Sequence, residues 1–241
     1  MMNYTDMHCH MLFGVDDGAK TREDMQVMLD MAYADGTKRI CFTPHYHPGY
    51  YGENGRAAFQ AFEKAEEYAA LKYPDLRLHL GNELHYDQGC REWIADRKVR
   101  TINGSRYLLV DFSDNVPAKT VLHAMDCILN FGCRPVLAHI EAYSELRSRL
   151  DDIRKLREIG VVIQCDSQSI LGDFGMGAKR ASRKLLAYGL VDVISSDSHN
   201  VKTRPPVLSG CFEYVSKKFG ADYAGMLFDR NPGVIIDDGD L

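Results

Sequence analysis

Two histidines one residue apart, His8 and His10, stand near the start of the chain in Asp6-Met7-His8-Cys9-His10. On an extended segment, residues i and i+2 point to the same side. Neutral imidazole is the commonest protein ligand for borderline divalent metals. Farther along, a His, Asp or Glu repeatedly closes an apolar run. The loop after the pair offers Asp17 or Asp16; then come His45, Glu83, Asp111 and His139, and finally Asp197 with His199. Five histidines and four carboxylates are too many for one ion and suit two or three, with a carboxylate bridging neighbours. Nitrogen and oxygen donors without thiolate favour Mn2+, Fe2+ or Zn2+ over a structural zinc site. Three divalent ions would carry about +6, against about −5 from four carboxylates and a bridging hydroxide, leaving a slightly positive pocket suited to phosphate. Without metal, the same carboxylates would repel one another.

Those side chains need strands that deliver them to one face. Short apolar runs predict strands at 3–8, 38–43, 76–80, 106–110, 134–138, 160–164 and 191–194. Each ends at or just before a candidate ligand, except the sixth, which ends at Asp166-Ser167. Between them the pattern predicts helices: from an N-cap at Thr21 to Asp35, then 57–71, 118–131, 144–159 and 180–187, with 206–219 and 221–228 finishing the chain. Strand then helix, seven times over, predicts an α/β fold with a parallel sheet, most simply a (β/α)7 TIM-like barrel. In such barrels the active site lies at the C-terminal strand ends, where the polar residues fall. No linker or composition shift divides the chain, so residues 1–241 read as a single domain.

Bulk composition narrows the function classes. Apolar residues are 45% and charged residues 26%, with a net charge of −5 and no Lys/Arg block, which argues against nucleic acid or an anionic membrane as partner. No leader pattern or long apolar stretch is found, so a cytoplasmic location is expected, without membrane insertion. The seven cysteines are scattered without a CxxC pair and read as reduced core residues. None has Arg six residues on, which speaks against a thiolate phosphoenzyme. The glycine-rich stretch 172–177 comes near a phosphate loop, but Ala178 stands where Lys must follow, so a flexible loop before a helix is expected. His79, His85 and His123 read as surface or core-edge residues, and His47 as a loop residue at the entrance.

Taken together, Met7-His8-Cys9-His10, Val15-Asp16-Asp17-Gly18, Gly81-Asn82-Glu83, Ala138-His139-Ile140-Glu141, Ser196-Asp197-Ser198-His199-Asn200 with Arg204-Pro205-Pro206, and the terminal Asn231-Pro232 carry a family likeness. The chain resembles the polymerase-and-histidinol-phosphatase (PHP) superfamily. More narrowly, it resembles the bacterial manganese-dependent tyrosine phosphatases of capsular and exopolysaccharide operons. The resemblance implies a distorted (β/α)7 barrel holding a trinuclear Mn2+ site. His8, His10, Glu83 and Asp197 would hold the first ion; Glu83, Asp111 and His139 the second; Asp17, His45 and His199 the third. It implies hydrolysis of phosphotyrosine by a metal-bridged hydroxide, with Arg204 clamping phosphate and Asp197, His199 or a metal-bound water protonating the leaving group. The implied substrate is the autophosphorylated tail of a bacterial tyrosine kinase that controls polysaccharide export.

Two positions depart from the family pattern: Asp111 replaces a Glu, and Ala142 replaces an Arg expected to clamp phosphate. Arg56 or Lys20 could reach in from neighbouring loops, and Tyr46, Tyr50 and Tyr51 would form an aromatic rim for a tyrosine ring. The competing readings are a small-molecule phosphatase of the histidinol-phosphate type and a metal-binding regulatory module with weakened catalysis. An amidohydrolase barrel also begins with HxH, but Asp111 and Asp166 fit its pattern poorly.

Overall fold

Two of the expected strands, 38–43 and 76–80, are each followed at once by a second, short strand. The computed structural model describes residues 3–51, 55–87 and 89–241. Its strands are β1 (Tyr4–Asp6), β2 (Thr37–Phe42), β3 (His45–Tyr46), β4 (Arg77–Leu80), β5 (Glu83–His85), β6 (Tyr107–Asp111), β7 (Arg134–Leu137), β8 (Val162–Asp166) and β9 (Val193–Ser195). All neighbours pair in parallel, in the orders β1-β2-β4 and β3-β5-β6-β7-β8-β9. Thr43-Pro44 separates β2 from β3, because proline has no N–H for the ladder. Gly81-Asn82 separates β4 from β5, and there the Asn82 amide donates to the Pro44 carbonyl at 3.0 Å. A Cβ on Gly81 would stand 3.2 Å from the Ile102 Cα, so a small residue suits this close approach.

The first and last strands meet at their tips and not along a ladder. Asp197 N–H donates to the His8 carbonyl at 2.9 Å, and His10 N–H to the Ser198 carbonyl at 2.8 Å. An isolated parallel bridge joins Cys9 to Ser198. The two histidines and the Asp-Ser-His segment, far apart in sequence, are thereby fixed edge to edge.

The helices are α1 (Arg22–Asp35), α2 (Gly55–Lys72), α3 (Cys90–Ala95), α4 (Ala118–Asn130), α5 (Leu150–Glu158), α6 (Ser167–Leu171), α7 (Gly175–Ala187), α8 (Ser209–Phe219), α9 (Ala221–Gly225) and α10 (Asn231–Ile236). Thr21 caps α1 through a reciprocal box with Asp24, and Gly36 ends it in the left-handed region at φ 109°. Period-two alternation sorts the strand residues. Tyr107 and Leu109 of β6 join an inner cluster with Val136, Val162 and Val193, while Leu108 and Val110 pack outward. Ile235 and Ile236 of α10 belong to the inner cluster. Asp111 continues the inward series of β6, and Gln164 and Asp166 continue that of β8 from Val162.

Several boundaries differ from the sequence reading. The helix expected over 144–159 is a one-turn 3-10 segment, Leu146–Ser148, followed by α5, because Arg149 has non-helical angles (φ −93°, ψ 69°). The stretch 172–177 is not simply a flexible loop. Gly172 terminates α6 in the left-handed region at φ 110°, and α7 begins at Gly175. Two left-handed glycines pack a helix end against a helix start, a use of glycine that mimics loop composition. Among the described residues no helix is long and apolar enough to cross a membrane. All seven cysteines are free, and six are buried.

Candidate metal centre

Glu83, at the start of β5, is the hub of the site and is buried. Its Oε1 lies 3.2 Å from His8 Nε2 and 3.1 Å from His139 Nε2. Its Oε2 lies 2.9 Å from His45 Nδ1 and 3.3 Å from His10 Nε2. Asp197 Oδ1 approaches His8 Nε2 at 3.4 Å and His10 Nε2 at 3.3 Å. Asp17 Oδ1 is 3.4 Å from both His45 Nε2 and His199 Nε2. Three donor groups result, each with its atoms within 4.8 Å of one another: His10, Asp17, His45 and His199; His8, His10 and Asp197; Glu83, Asp111 and His139. The fold brings all nine expected side chains together.

Donor spacing and donor chemistry both fit divalent ions. Two atoms each about 2.1 Å from one ion, at ordinary ligand angles, stand about 3.0–3.4 Å apart. His8 Nε2 and His10 Nε2 face each other at 3.2 Å, beside two carboxylates. Their opposite nitrogens are engaged: His10 Nδ1 lies 2.8 Å from Asp16 Oδ2, and His8 Nδ1 lies 3.3 Å from Gln164 Oε1. Each of these acceptors takes an Nδ1 proton, so in the neutral rings both Nε2 lone pairs aim at one point. Only a cation or a proton relieves that opposition.

With protons alone, the carboxylates and imidazoles polarise one another. Burial pulls His10 down, but Asp16, Asp197 and Glu83 lift it well above the ordinary imidazole range. Burial and His10 oppose charge on His45, yet Glu83 and Asp17 raise it to about 9. Glu83 is held below the usual carboxylate range, against burial, by His8 and His45. Asp197 is likewise lowered by His8, His10 and Arg204, and Asp17 by hydrogen bonds from His199 and His45. His199 shifts the other way: burial and the neighbouring His10 lower it.

The supporting residues Gln164, Asp16 and His85 hold roles the sequence did not assign to them. Gln164 of β8 accepts from the His139 N–H at 2.8 Å as well as facing His8, and donates to Asp166 Oδ1 at 2.8 Å. Asp16 accepts from the Gly18 and His45 N–H groups, which turns it away from the centre and leaves Asp17 to face His45 and His199. His139 and Asp197 hold positive φ, 30° and 48°, a conformation costing non-glycine residues about 1 kcal/mol or more. His85 is not a stray surface residue. It is half-buried, its Nδ1 lies 3.0 Å from Asp111 Oδ2, and that carboxylate raises its pKa. Asp111, one methylene short of a Glu, is thus oriented by a neighbour on the adjacent strand.

A cavity of about 500 Å³ opens over the donors, lined among others by His45, Glu83, His139, Ala142, Asp197 and Arg204. Arg204 is ion-paired with Asp197, and its guanidinium carbon lies 5.5 Å from the Phe174 ring centroid. Lys20 contacts the Asp16 carbonyl at 3.4 Å and lines an adjoining hollow, whereas Arg56 is exposed on α2 and outside the cavity lining. Tyr51 stacks on His45 at 5.1 Å and Tyr50 on His47 at 4.5 Å. Tyr46 is no part of a rim: it is buried and packs edge-on against Trp93. Positions 52–54 of this loop lie outside the described residues.

The profile of the capsular polysaccharide synthesis family CpsB/CapC matches residues 4–237. The chain is 32% identical over 238 residues to tyrosine-protein phosphatase CpsB of Streptococcus pneumoniae, covering 97% of this chain and 98% of that one. It is 32% identical over 228 residues to tyrosine-protein phosphatase YwqE of Bacillus subtilis, covering 93% and 89%. A solved structure from work on YwqE and CpsB, described as unique metal-dependent tyrosine phosphatases, matches with a TM-score of 0.90 at 28% identity, covering 100% of this chain and 96% of that one. An organophosphorus hydrolase from Deinococcus radiodurans matches with a TM-score of 0.63 at 12% identity, covering 97% and 92%, a likeness of fold to TIM-barrel-like metal hydrolases.

Proposed function

Because the chain belongs to the CpsB/CapC family of capsular polysaccharide synthesis, we propose that it is a metal-dependent protein-tyrosine phosphatase. The observation that carries this reading is the facing pair of His8 and His10 Nε2 atoms, 3.2 Å apart between Glu83 and Asp197. We assign His8, His10, Glu83 and Asp197 to one ion, Glu83, Asp111 and His139 to a second, and Asp17, His45 and His199 to a third, with Mn2+ as the native metal. When bound, such ions lower the pKa of water to give a nucleophile near neutral pH and offset charge on phosphoryl oxygens.

The chain's own residues do the rest. Asp197 anchors Arg204 at the cavity edge, where its guanidinium can donate to phosphate oxygens. Arg204 Nε is buried without a partner, a donor left to spend on a ligand. A phenolate leaving group, with a pKa near 10, needs less proton assistance than an alkoxide. His199 faces Asp17 through one ring nitrogen and the Asp197 carbonyl through the other, so it would serve as a ligand and leave proton delivery to water in the cavity. A cysteinyl route has no support, because no cysteine lines the cavity and burial pushes Cys9, Cys41 and Cys165 upward. We assign as substrate the phosphotyrosine tail of a bacterial kinase acting in polysaccharide export, a reading supported by the capsular family and its phosphatase members.

The test is a substrate panel with Mn2+-loaded protein: a phosphotyrosine peptide, a phosphoserine peptide and histidinol phosphate. Preference for the aryl ester by about tenfold or more in kcat/KM supports the proposal. Equal or better turnover of histidinol phosphate moves the protein to the small-molecule class. Phosphopeptide binding without turnover of any ester marks a regulatory module.

A further inference from the structure

We infer that Arg147 is a second substrate-binding guanidinium of this cavity, donating to the phosphoryl oxygens together with Arg204. The inference rests on the phosphatase reading above.

Arg147 lies on the one-turn segment Leu146–Ser148, and its side chain folds back toward the site. It lines the same cavity as Glu83, His139, Asp197 and Arg204. Nη1 donates to the Glu141 carbonyl at 3.2 Å, which holds the plane of the group while leaving other N–H donors unspent. The guanidinium rests against the first turn of α7: a Cβ on Gly177 would stand 3.5 Å from Nη2 and 3.6 Å from Nη1. Gly177 and Ala178 present almost no side chain there, and Ala142, next to Glu141 in the chain, presents only a methyl. These three small residues leave that part of the cavity lining without long side chains.

Charge pairing separates Arg147 from its neighbours. Arg149 pairs with Glu145 and Asp152, Arg154 with Asp151, Arg157 with Asp192, and Arg204 with Asp197. Among the described residues, no carboxylate comes within ion-pair distance of Arg147. Asp114 also lines the cavity, but it engages Ser144 through its carbonyl and makes no ion pair with Arg147. A half-buried guanidinium without a carboxylate partner is suited to an anion that arrives from outside. A phosphoryl group offers the planar fork two oxygens at once. Arg204 spends part of its fork on Asp197, whereas among the described residues no carboxylate holds Arg147.

The experiment compares wild type, Arg147→Gln and Arg147→Lys as Mn2+-loaded proteins. Calorimetry measures binding of inorganic phosphate. Kinetics use p-nitrophenyl phosphate and phosphotyrosine peptides with neutral or acidic flanks. Metal content and Tm control for folding. The expected result is phosphate binding weakened about tenfold or more in Arg147→Gln, with KM raised to a similar extent for all three substrates. Arg147→Lys should recover part of the loss at unchanged metal content. Unchanged phosphate affinity in Arg147→Gln overturns the inference. So does a loss confined to the acidic peptide, which would make Arg147 a reader of flanking residues. If Arg147→Gln loses Tm or metal, Arg147→Lys decides alone: wild-type phosphate affinity and selectivity with only the fork removed would overturn the two-oxygen contact. Inactivity of wild type on every aryl ester counts against the phosphatase reading instead, and the phosphate calorimetry still tests Arg147.

Discussion

The floor of the site and its rim solve different problems with different residues. On the floor, His8 is backed by Gln164, His10 by Asp16 and Asp111 by His85, and Asp197 is pinned through its own N–H to the His8 carbonyl. Six of the nine donors there, His8, His10, Glu83, Asp111, Asp197 and His199, are buried. At the rim, Tyr50 is 81% exposed, Phe174 is 39% exposed, and Ala142, Gly177 and Ala178 contribute little beyond backbone. A metal site tolerates errors of a few tenths of an ångström in ligand position, so its supports must be redundant. A rim that admits a peptide needs open volume and a few mobile donors, so its residues can change more freely.

The sharpest break of that comparison is Glu83→Gln, which removes the one carboxylate facing four imidazoles. Metal content should fall by at least one ion, and kcat/KM by about 10³-fold or more. Near-wild-type metal content by elemental analysis would show that Glu83 is no hub. Next in size is Asp16→Asn, one step behind His10. It should weaken Mn2+ binding about 10–100-fold while leaving kcat at saturating metal nearly unchanged. A titration of activity against free Mn2+ separates the two effects.

Acidity tests the floor in another way. In the ion-free protein Glu83 and Asp17 hold the His45 pKa at about 9, above its ordinary 6.5. The proton is therefore bound more tightly in the folded state. Its stabilising contribution is full below about pH 6.5 and is lost as pH rises through about 9. Metal requires the neutral ring, so Mn2+ affinity should rise over that same window, with proton release on loading. Melting curves with and without Mn2+ at pH 6 and pH 9 should move in opposite directions. The smallest effect belongs to the rim: Tyr50→Ala should change kcat/KM on p-nitrophenyl phosphate by about twofold or less, since the ring stacks on His47 and not on a donor group. A tenfold loss would make the rim as constrained as the floor.

What was legible in the sequence follows the same division. The HxH pair, Glu83 after Gly81-Asn82, and Asp197-Ser198-His199 could be found because each closes an apolar run that a strand period explains. The tip-to-tip contact of β1 and β9 made them one site. Gln164 was invisible because it sits inside a strand and acts through an uncharged amide. His85 reads as a stray histidine until β5 pairs with β6 and sets it beside Asp111. Arg147 falls in a stretch with ordinary helical periodicity, and only the non-helical Arg149 turns that stretch into a short turn facing the cavity. The start of α7 was hidden by glycines whose composition is that of a loop.

The central claim is that the buried donors of the floor exist to hold catalytic metal. Hydrolysis of a phosphotyrosine peptide should be measured after EDTA stripping and again after Mn2+ add-back, with His139→Ala alongside. The expected result is loss of activity on stripping, full return with Mn2+, and no return in the variant. Activity that survives complete stripping, or that His139→Ala retains, would contradict the account.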